Sequence, residues 1–389
     1  QIIERTDGTP LFAEELTKTV LESGLLRPQN GHYVLDGPLP PRAIPTTLHD
    51  SLMARLDRLA WARDVAQIGA ALGREFSYEL LRAVVALPDE RLQSALRDLV
   101  HSGLIFARGA QPAATYTFKH ALVQDAAYQS MLTSRRMQLH ARIVDVLEPT
   151  FPELVDAEPE TLARHLPVAA LPQRAIPYWL AAGRRAMQRG AHQEAIGHLQ
   201  AGIALLDGVA DKAERVRFEI DLQAALGFAL TATRGYAAPD VEAAFSRAYA
   251  LCQASGEPAQ AIPVLRGFAT FHWVSGNLAT ARRFGLQLAE SAERTGDAEA
   301  SSVAHGMLAG ILHHMGEIAG SELHCAKLAA PYDLRHRRNI VVRFGEDTPS
   351  VTWAYHGYNE AWRGNFAVAL AAVEQAVEYA SRSGHSFSI

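Results

Sequence analysis

At 389 residues the chain exceeds one ordinary domain and suffices for about two or three, each able to bury its own core. A content of 48% hydrophobic and 20% charged residues excludes a disordered chain, and a net charge of −5 with a pI near 6.4 excludes a generally basic, nucleic-acid-coating surface. No apolar run reaches the roughly 18 residues of a membrane span and no secretory leader opens the sequence, so the expectation is a soluble, cytoplasmic protein without a membrane partner.

Residues 1–45 open with Thr6-Asp7-Gly8-Thr9-Pro10 and an apolar stripe of Leu11, Phe12, Leu16, Val20 and Leu21 at helical spacing. Thr9 supplies a capping hydroxyl, Pro10 stands where a missing N–H does no harm, and Gly24 closes the helix. The prolines and glycines of 27–45 forbid a long helix and mark a link, with room for a short strand at His32-Tyr33-Val34-Leu35. A second segment, 46–148, begins with Leu48, Leu52, Leu56 and Leu59 on one helical face. Helices are then predicted over 61–72, 77–86 and 89–102, the last with Leu92, Leu96, Leu99 and Val100 inward. Two β-prone runs, Leu104-Ile105-Phe106 and Thr115-Tyr116-Thr117-Phe118, flank a turn-rich stretch and predict a hairpin. Together these make a winged-helix-like unit, continued by one helix over about 120–147.

A linker at 149–173, with one helix near 158–168, leads to an alanine-rich and almost wholly helical segment, 174–389. There the pattern Gly-[Asn/Glu/Ala]-x-x-x-[Ala/Ser] recurs at Gly276 to Ala281, Gly316 to Ser321 and Gly364 to Ala369, with a weaker relative at Gly190 to Ala195. Glycine takes the backbone angles of a tight interhelical turn, and the small residue lets the second helix press on the first. Helical hairpins are therefore predicted at 175–206, 214–255, 258–295, 298–329 and 350–384, with a long loop at 331–349. Their spacing exceeds the about 34 residues of a strict tetratricopeptide repeat, so they form a divergent solenoid. The fold class is thus mostly α: a winged-helix-like domain with a small β-hairpin, then a solenoid of tetratricopeptide-like hairpins.

Cys252 and Cys325 lack the paired spacing of a zinc site and read as small core residues. No phosphate-binding Gly-x-x-x-x-Gly-Lys-[Ser/Thr] loop or hydrolase signature occurs, so no catalytic residue is assigned and no cofactor is expected on this chain alone. His305, His313, His314 and His324 lack a carboxylate or cysteine that completes a ligand set, and read as structural or surface histidines. Lys119, Arg135, Arg136, His140 and Arg142 read as a solvated basic face. The outward residues of the third helix mix Arg91 and Arg97 with Asp98, which speaks against DNA contact.

The order of Gly8-Thr9-Pro10-Leu11, proline-rich link, Ile44-Pro45-Thr46-Thr47-Leu48, winged helix and Tyr116-Thr117-Phe118-Lys119-His120-Ala121-Leu122-Val123-Gln124-Asp125 resembles STAND-type P-loop ATPases. In particular it is similar to bacterial signalling proteins in which a class III adenylate or guanylate cyclase domain precedes an AAA-type ATPase and a tetratricopeptide tail. The resemblance covers essentially the whole chain and implies that the ATPase core lies upstream, with ATP or ADP bound there. It further implies that Pro10 packs on the adenine and that His120 touches the β-phosphate of ADP; competing readings are a helix start at Pro10 and a helix cap at His120. Ala121 departs from the family, where many members carry aspartate. The start at Gln1, inside an apparent element, fits a piece of a longer protein. Partner contacts on the solenoid are expected among Trp273, Trp353, Trp362, Arg335, Arg337 and Arg338, with core filling and an exposed loop as the alternatives. Three functions follow: a regulatory sensor module for the upstream ATPase, the effector-sensing part of a STAND transcription regulator, or a plain protein-interaction scaffold.

Overall fold

The structure is a computed structural model and describes residues 17, 26–29, 32–35, 48–59, 61–256, 258–328, 340, 344 and 348–383. It divides into two compact units, Gln1–Pro172 and Gln173–Ile389. No described helix is long and apolar enough to cross a membrane.

The first unit opens with an antiparallel pair, β1 (Leu26–Gln29) and β2 (His32–Leu35), in register from Leu26 opposite Leu35 to Gln29 opposite His32. Only β2 was legible; β1 contains Pro28, which a two-stranded pair tolerates because one edge of each strand lacks a ladder partner. Helices α1 (Leu48–Arg58) and α2 (Arg63–Leu72) follow, with Leu52 and Leu56 buried as their spacing requires. Then come β3 (Glu75–Ser77), α3 (Tyr78–Val84), α4 (Asp89–His101), β4 (Ile105–Arg108) and β5 (Thr115–Phe118).

The sheet order is β3-β5-β4, antiparallel throughout, so the expected hairpin gains a third strand and becomes a small three-stranded sheet among the helices of this unit. Three residues are too few to show an alternating pattern, and β3 exists because Phe76 is held opposite Tyr116. Gly69 on α2 admits that ring: a Cβ there would lie 2.7 Å from Phe76 Cζ. The Ser77 hydroxyl then accepts a hydrogen bond from the Leu80 N–H at 3.1 Å and starts α3. On α4 the inward face is Leu92, Ala95, Leu96 and Leu99; Val100, expected inward, is exposed.

The helix expected over 120–147 is broken in two, α5 (Ala121–Gln129) and α6 (Thr133–Thr150). Ser130 marks the break: its hydroxyl donates to the Ala127 carbonyl at 2.7 Å and accepts from Gln67 Nε2 at 2.8 Å, which draws the chain onto α2. Leu132 is then extended. The stretch read as a linker with one helix holds two, α7 (Pro152–Ala157) and α8 (Pro159–Val168), each with proline in its first turn.

The second unit is a run of hairpins: α9 (Pro172–Gln188) with α10 (His192–Ile203), α11 (Lys212–Arg234) with α12 (Pro239–Ser255), α13 (Pro258–Val274) with α14 (Leu278–Thr295), α15 (Ala298–His314) with α16 (Ile318–Lys327), and α17 (Thr348–Trp362) with α18 (Phe366–Ser383). All five lie where the repeat placed them. Gly276 and Gly316 both take φ of 78° in their turns, and the small residues five positions later, Ala281 and Ser321, are fully buried. Much of the predicted loop at 331–349 falls outside the described residues, but Ile340 and Phe344 are helical and buried in the solenoid core.

One face of α18 has no partner among the described residues. Phe366, Leu370, Val373 and Val377 follow at helical spacing, with Phe366 72% and Leu370 62% exposed. Repeat-equivalent positions in earlier hairpins lie under the next one: a Cβ on Gly285 would meet Leu308 of α15 at 2.9 Å, and Cys325 Sγ contacts the Thr352 carbonyl of α17 at 3.8 Å. Leu370→Glu is therefore expected to change stability by under about 0.5 kcal/mol, as a surface substitution does. Ala372→Glu, which forces a carboxylate against Gly357 of α17, should abolish cooperative unfolding of the last hairpin in a urea titration.

Candidate functional site

The first helices of the third, fourth and fifth hairpins bring their side chains to one cavity of about 680 Å3. From α13 come Thr270, Trp273 and Val274, from α15 Met307 and His314, from α17 Val351 and Tyr355. These are spacings of three, four and seven, so each helix turns one stripe toward the same space. Tyr236, just after α11, Gly276 in its turn, Leu278 at the start of α14 and Gly306 of α15 complete the wall.

The walls are set by a missing side chain. At Gly310 of α15 a Cβ would lie 2.4 Å from Trp273 Cη2 and 2.7 Å from Tyr355 Cε2, so both rings rest on bare backbone. Their centroids are 6.0 Å apart, and the His314 ring meets each nearly edge-on at 5.7 and 5.8 Å. His314 Nδ1 lies 2.8 Å from the Gly310 carbonyl oxygen, which can only accept, so Nδ1 carries the proton in that bond. The Trp273 indole N–H, 3.4 Å from the same nitrogen, consequently meets no lone pair there. Burial, and then the neighbouring Tyr358, push the Tyr355 phenol up to about 12, so it remains a neutral hydroxyl.

Behind the cavity wall a polar network joins α15, α16 and α17. Fully buried Asn359 accepts from His313 Nδ1 at 2.7 Å and donates to Ser321 Oγ and Glu322 Oε1, both at 2.7 Å. Ser321 passes its own proton to the Ala309 carbonyl, and Glu322 Oε2 takes His356 Nδ1 at 2.8 Å. Glu360, held below the usual carboxylate range first by the Asn365 hydrogen bond and then by Arg363, sits beside them. Glu322, His356 and Glu360 bring donor atoms within 4.8 Å of one another, a spacing that could hold a metal. The bonds of Glu322 to Asn359 and His356, and of Glu360 to Arg363 and Asn365, already account for that clustering.

Of the residues expected at partner sites, Trp273 stands in the cavity wall. Trp362 is 77% exposed at the end of α17, edge-on to His313 at 6.1 Å. Trp353 is half-buried against His356 and lines no part of the cavity. Pro10, Arg335, Arg337 and Arg338 lie outside the described residues. His120 occupies the position just before α5, but its side chain makes no cap; its Nε2 is buried without a partner among the described residues. Both cysteines are free and buried, and burial raises their thiols to about 11 and about 12.

The basic face around α6 needs one correction. His140 is buried, bonded to the Tyr128 hydroxyl at 3.0 Å and to His165 Nδ1 at 2.9 Å, so it is no part of a solvated surface. Its spacing to half-buried Arg136 suggests one continuous face, but i and i+4 on this helix straddle the edge of the buried stripe. Arg135 pairs with Asp64 at 2.9 Å and Arg136 lies over the Tyr128 ring. Arg135 and Arg142 rim a smaller cavity of about 320 Å3 with Gln67 and Leu139.

Sequence reasoning missed Tyr236, Met307, Tyr355 and Asn359. The available signal was Gly306 and Gly310 one turn apart on α15, a small-residue face that invites large rings from its neighbours.

No protein-family profile matches the chain. An uncharacterized protein of Rhizobium meliloti (strain 1021) is 26% identical over 274 residues, covering 69% of this chain but only 26% of that protein's length. Among solved structures, a Signal Transduction ATPase with Numerous Domains (STAND) protein with a tetratricopeptide repeat sensor from Pyrococcus horikoshii aligns with 97% of this chain and 56% of its own, at 13% identity and a TM-score of 0.41. The apo form of RapI aligns with 85% of this chain and 77% of its own, at 13% identity and a TM-score of 0.41. A Rap protein complexed with competence and sporulation factor aligns with 87% and 79%, at 12% identity and a TM-score of 0.43. These are likenesses of fold alone.

Proposed function

We propose that the chain is the regulatory sensor module of a STAND-type ATPase signalling protein, whose solenoid receives a ligand and whose winged-helix-like unit reports that event to an ATPase upstream in the same polypeptide. The observation that carries the reading is the aromatic cavity on α13, α15 and α17, a space of the size small-molecule sites occupy, with a few convergent polar atoms. In the parent protein the output is the synthesis of a cyclic nucleotide. The chain by itself turns over neither ATP nor any cyclase substrate.

The coupling runs through His120. A buried ring nitrogen without a partner forgoes a hydrogen bond, and a phosphate oxygen of ADP held upstream would supply one. Because that Nε2 is covered, the ring turns outward to make the contact, so nucleotide contact and the arrangement at the start of α5 become linked. In the parent protein, His120→Ala is expected to speed ADP release about 10-fold or more, the effect of losing one charge-assisted hydrogen bond. Release of labelled ADP from wild-type and variant protein measures this. Equal rates would leave the chain as a scaffold that does not sense the nucleotide.

A further inference from the structure

We infer that the cavity on α13, α15 and α17 selects an uncharged, planar aromatic ligand that accepts a hydrogen bond from the Trp273 indole N–H. This rests on reading the solenoid as the ligand-receiving part of the module, and narrows that reading to a chemical class.

The first ground is charge. Among the described residues, tyrosine, threonine, tryptophan, valine, glycine, leucine, methionine and histidine line the cavity, and none of those lining it is aspartate, glutamate, lysine or arginine. A charged ligand would surrender its hydration there with no counter-charge to replace it, a loss that binding does not recover. The second is shape. Trp273 and Tyr355 both lie on the bare backbone of Gly310, and with His314 they present a set of ring faces and edges, which favours a flat conjugated partner over a branched aliphatic one. Met307, also in the lining, adds a polarisable sulfur suited to an aromatic edge.

The third ground is the count of protons. His314 Nδ1–H is committed to the Gly310 carbonyl, so among the described residues the Trp273 N–H is left without an acceptor, while Nε2 of the neutral His314 ring offers a lone pair. A ligand with a carbonyl or ring nitrogen answers Trp273, and a neighbouring N–H or O–H on the same ligand answers His314. A volume of about 680 Å3 admits a molecule of two or three fused rings and excludes a whole helix.

The test titrates the 389-residue protein with two naphthalene dyes. Prodan is uncharged and bears a ketone; 8-anilino-1-naphthalenesulfonate presents a similar ring system with a permanent negative charge. Prodan is expected to saturate one site at least about tenfold more tightly than the sulfonate. Val351→Phe and Thr270→Tyr, which fill the cavity from two different helices, should each weaken it about tenfold or more, with circular dichroism confirming that the fold is kept. Trp273→Phe retains a ring but removes the donor, and should both weaken Prodan several-fold and shift the emission of the bound dye. Sulfonate binding that is equally tight and equally sensitive to Val351→Phe overturns the uncharged class while leaving the cavity as a ligand site. Binding that ignores Val351→Phe and Thr270→Tyr but disappears in Leu370→Glu places the dye on the outer face of α18, and overturns the cavity as the site altogether.

Discussion

Replacing Asn359 by alanine is expected to destabilise the solenoid by about 3 kcal/mol, the cost of stripping partners from buried polar and charged groups. Asn359 has no exposed surface and makes three hydrogen bonds of 2.7 Å, to His313, Ser321 and Glu322. Ser321 keeps its bond to the Ala309 carbonyl in the variant and Glu322 keeps His356, so the loss falls mainly on His313 Nδ1 and on Glu322 Oε1. Hydrogen–deuterium exchange over 298–362 should show α15, α16 and α17 opening together, because the amide is their common partner. Asn359→Asp is the sharper variant: it places a second carboxylate beside Glu322, and should be less stable at pH 8 than at pH 6, where one acid of the pair can hold a proton. Protection unchanged in both variants would mean that the network contributes nothing to joining these helices. Because His313 packs against Tyr355, the same experiment also reports whether the cavity wall depends on the network behind it.

Acid should loosen the first unit well above the range in which carboxylates titrate. Burial, with Arg136 adding repulsion, lowers His140 to about 4; burial, then His140 and Arg164, lowers His165 to about 3. Unfolded histidines take up protons near pH 6.5. Between pH 6.5 and about 4 the unfolded chain therefore binds protons that the folded pair refuses, and stability rises with pH across that window. The contribution is complete above pH 6.5 and is lost as the pH falls through the window. At pH 5 the loss is about 2 kcal/mol for each histidine that stays neutral. His305 and His324, whose Nδ1 atoms lie 3.0 Å apart in the solenoid, are lowered for the same reason and act in the same direction. Urea midpoints measured from pH 8 to pH 5 should thus fall steeply in the wild type. The double variant His140→Phe/His165→Leu should fall less, with the remaining slope belonging to the solenoid. An unaltered slope would place the sensitivity outside this pair.

The sequence by itself determined the elements whose cause is local. Glycine followed five residues later by alanine or serine forces a tight turn and a close second helix, and those turns located four of the five hairpins, the period between them leaving room for the one at α11 and α12. Leu52 and Leu56, and Leu92, Leu96 and Leu99, announced their buried faces by period alone. Tertiary structure decided whatever depends on a partner distant in sequence. Three residues become β3 because β5 is present to pair with them, and α5 ends at Ser130 because Gln67 reaches it from α2. His140 is internal because Tyr128 and His165 complete its hydrogen bonds. The cavity belongs to this second class: Trp273, His314 and Tyr355 stand on three helices, and only the stacking of successive hairpins onto Gly310 turns three separate stripes into one lined space. Local periodicity fixes which face of a helix is apolar, whereas the register between helices is set by packing, and a site shared by three helices exists only once that register is set.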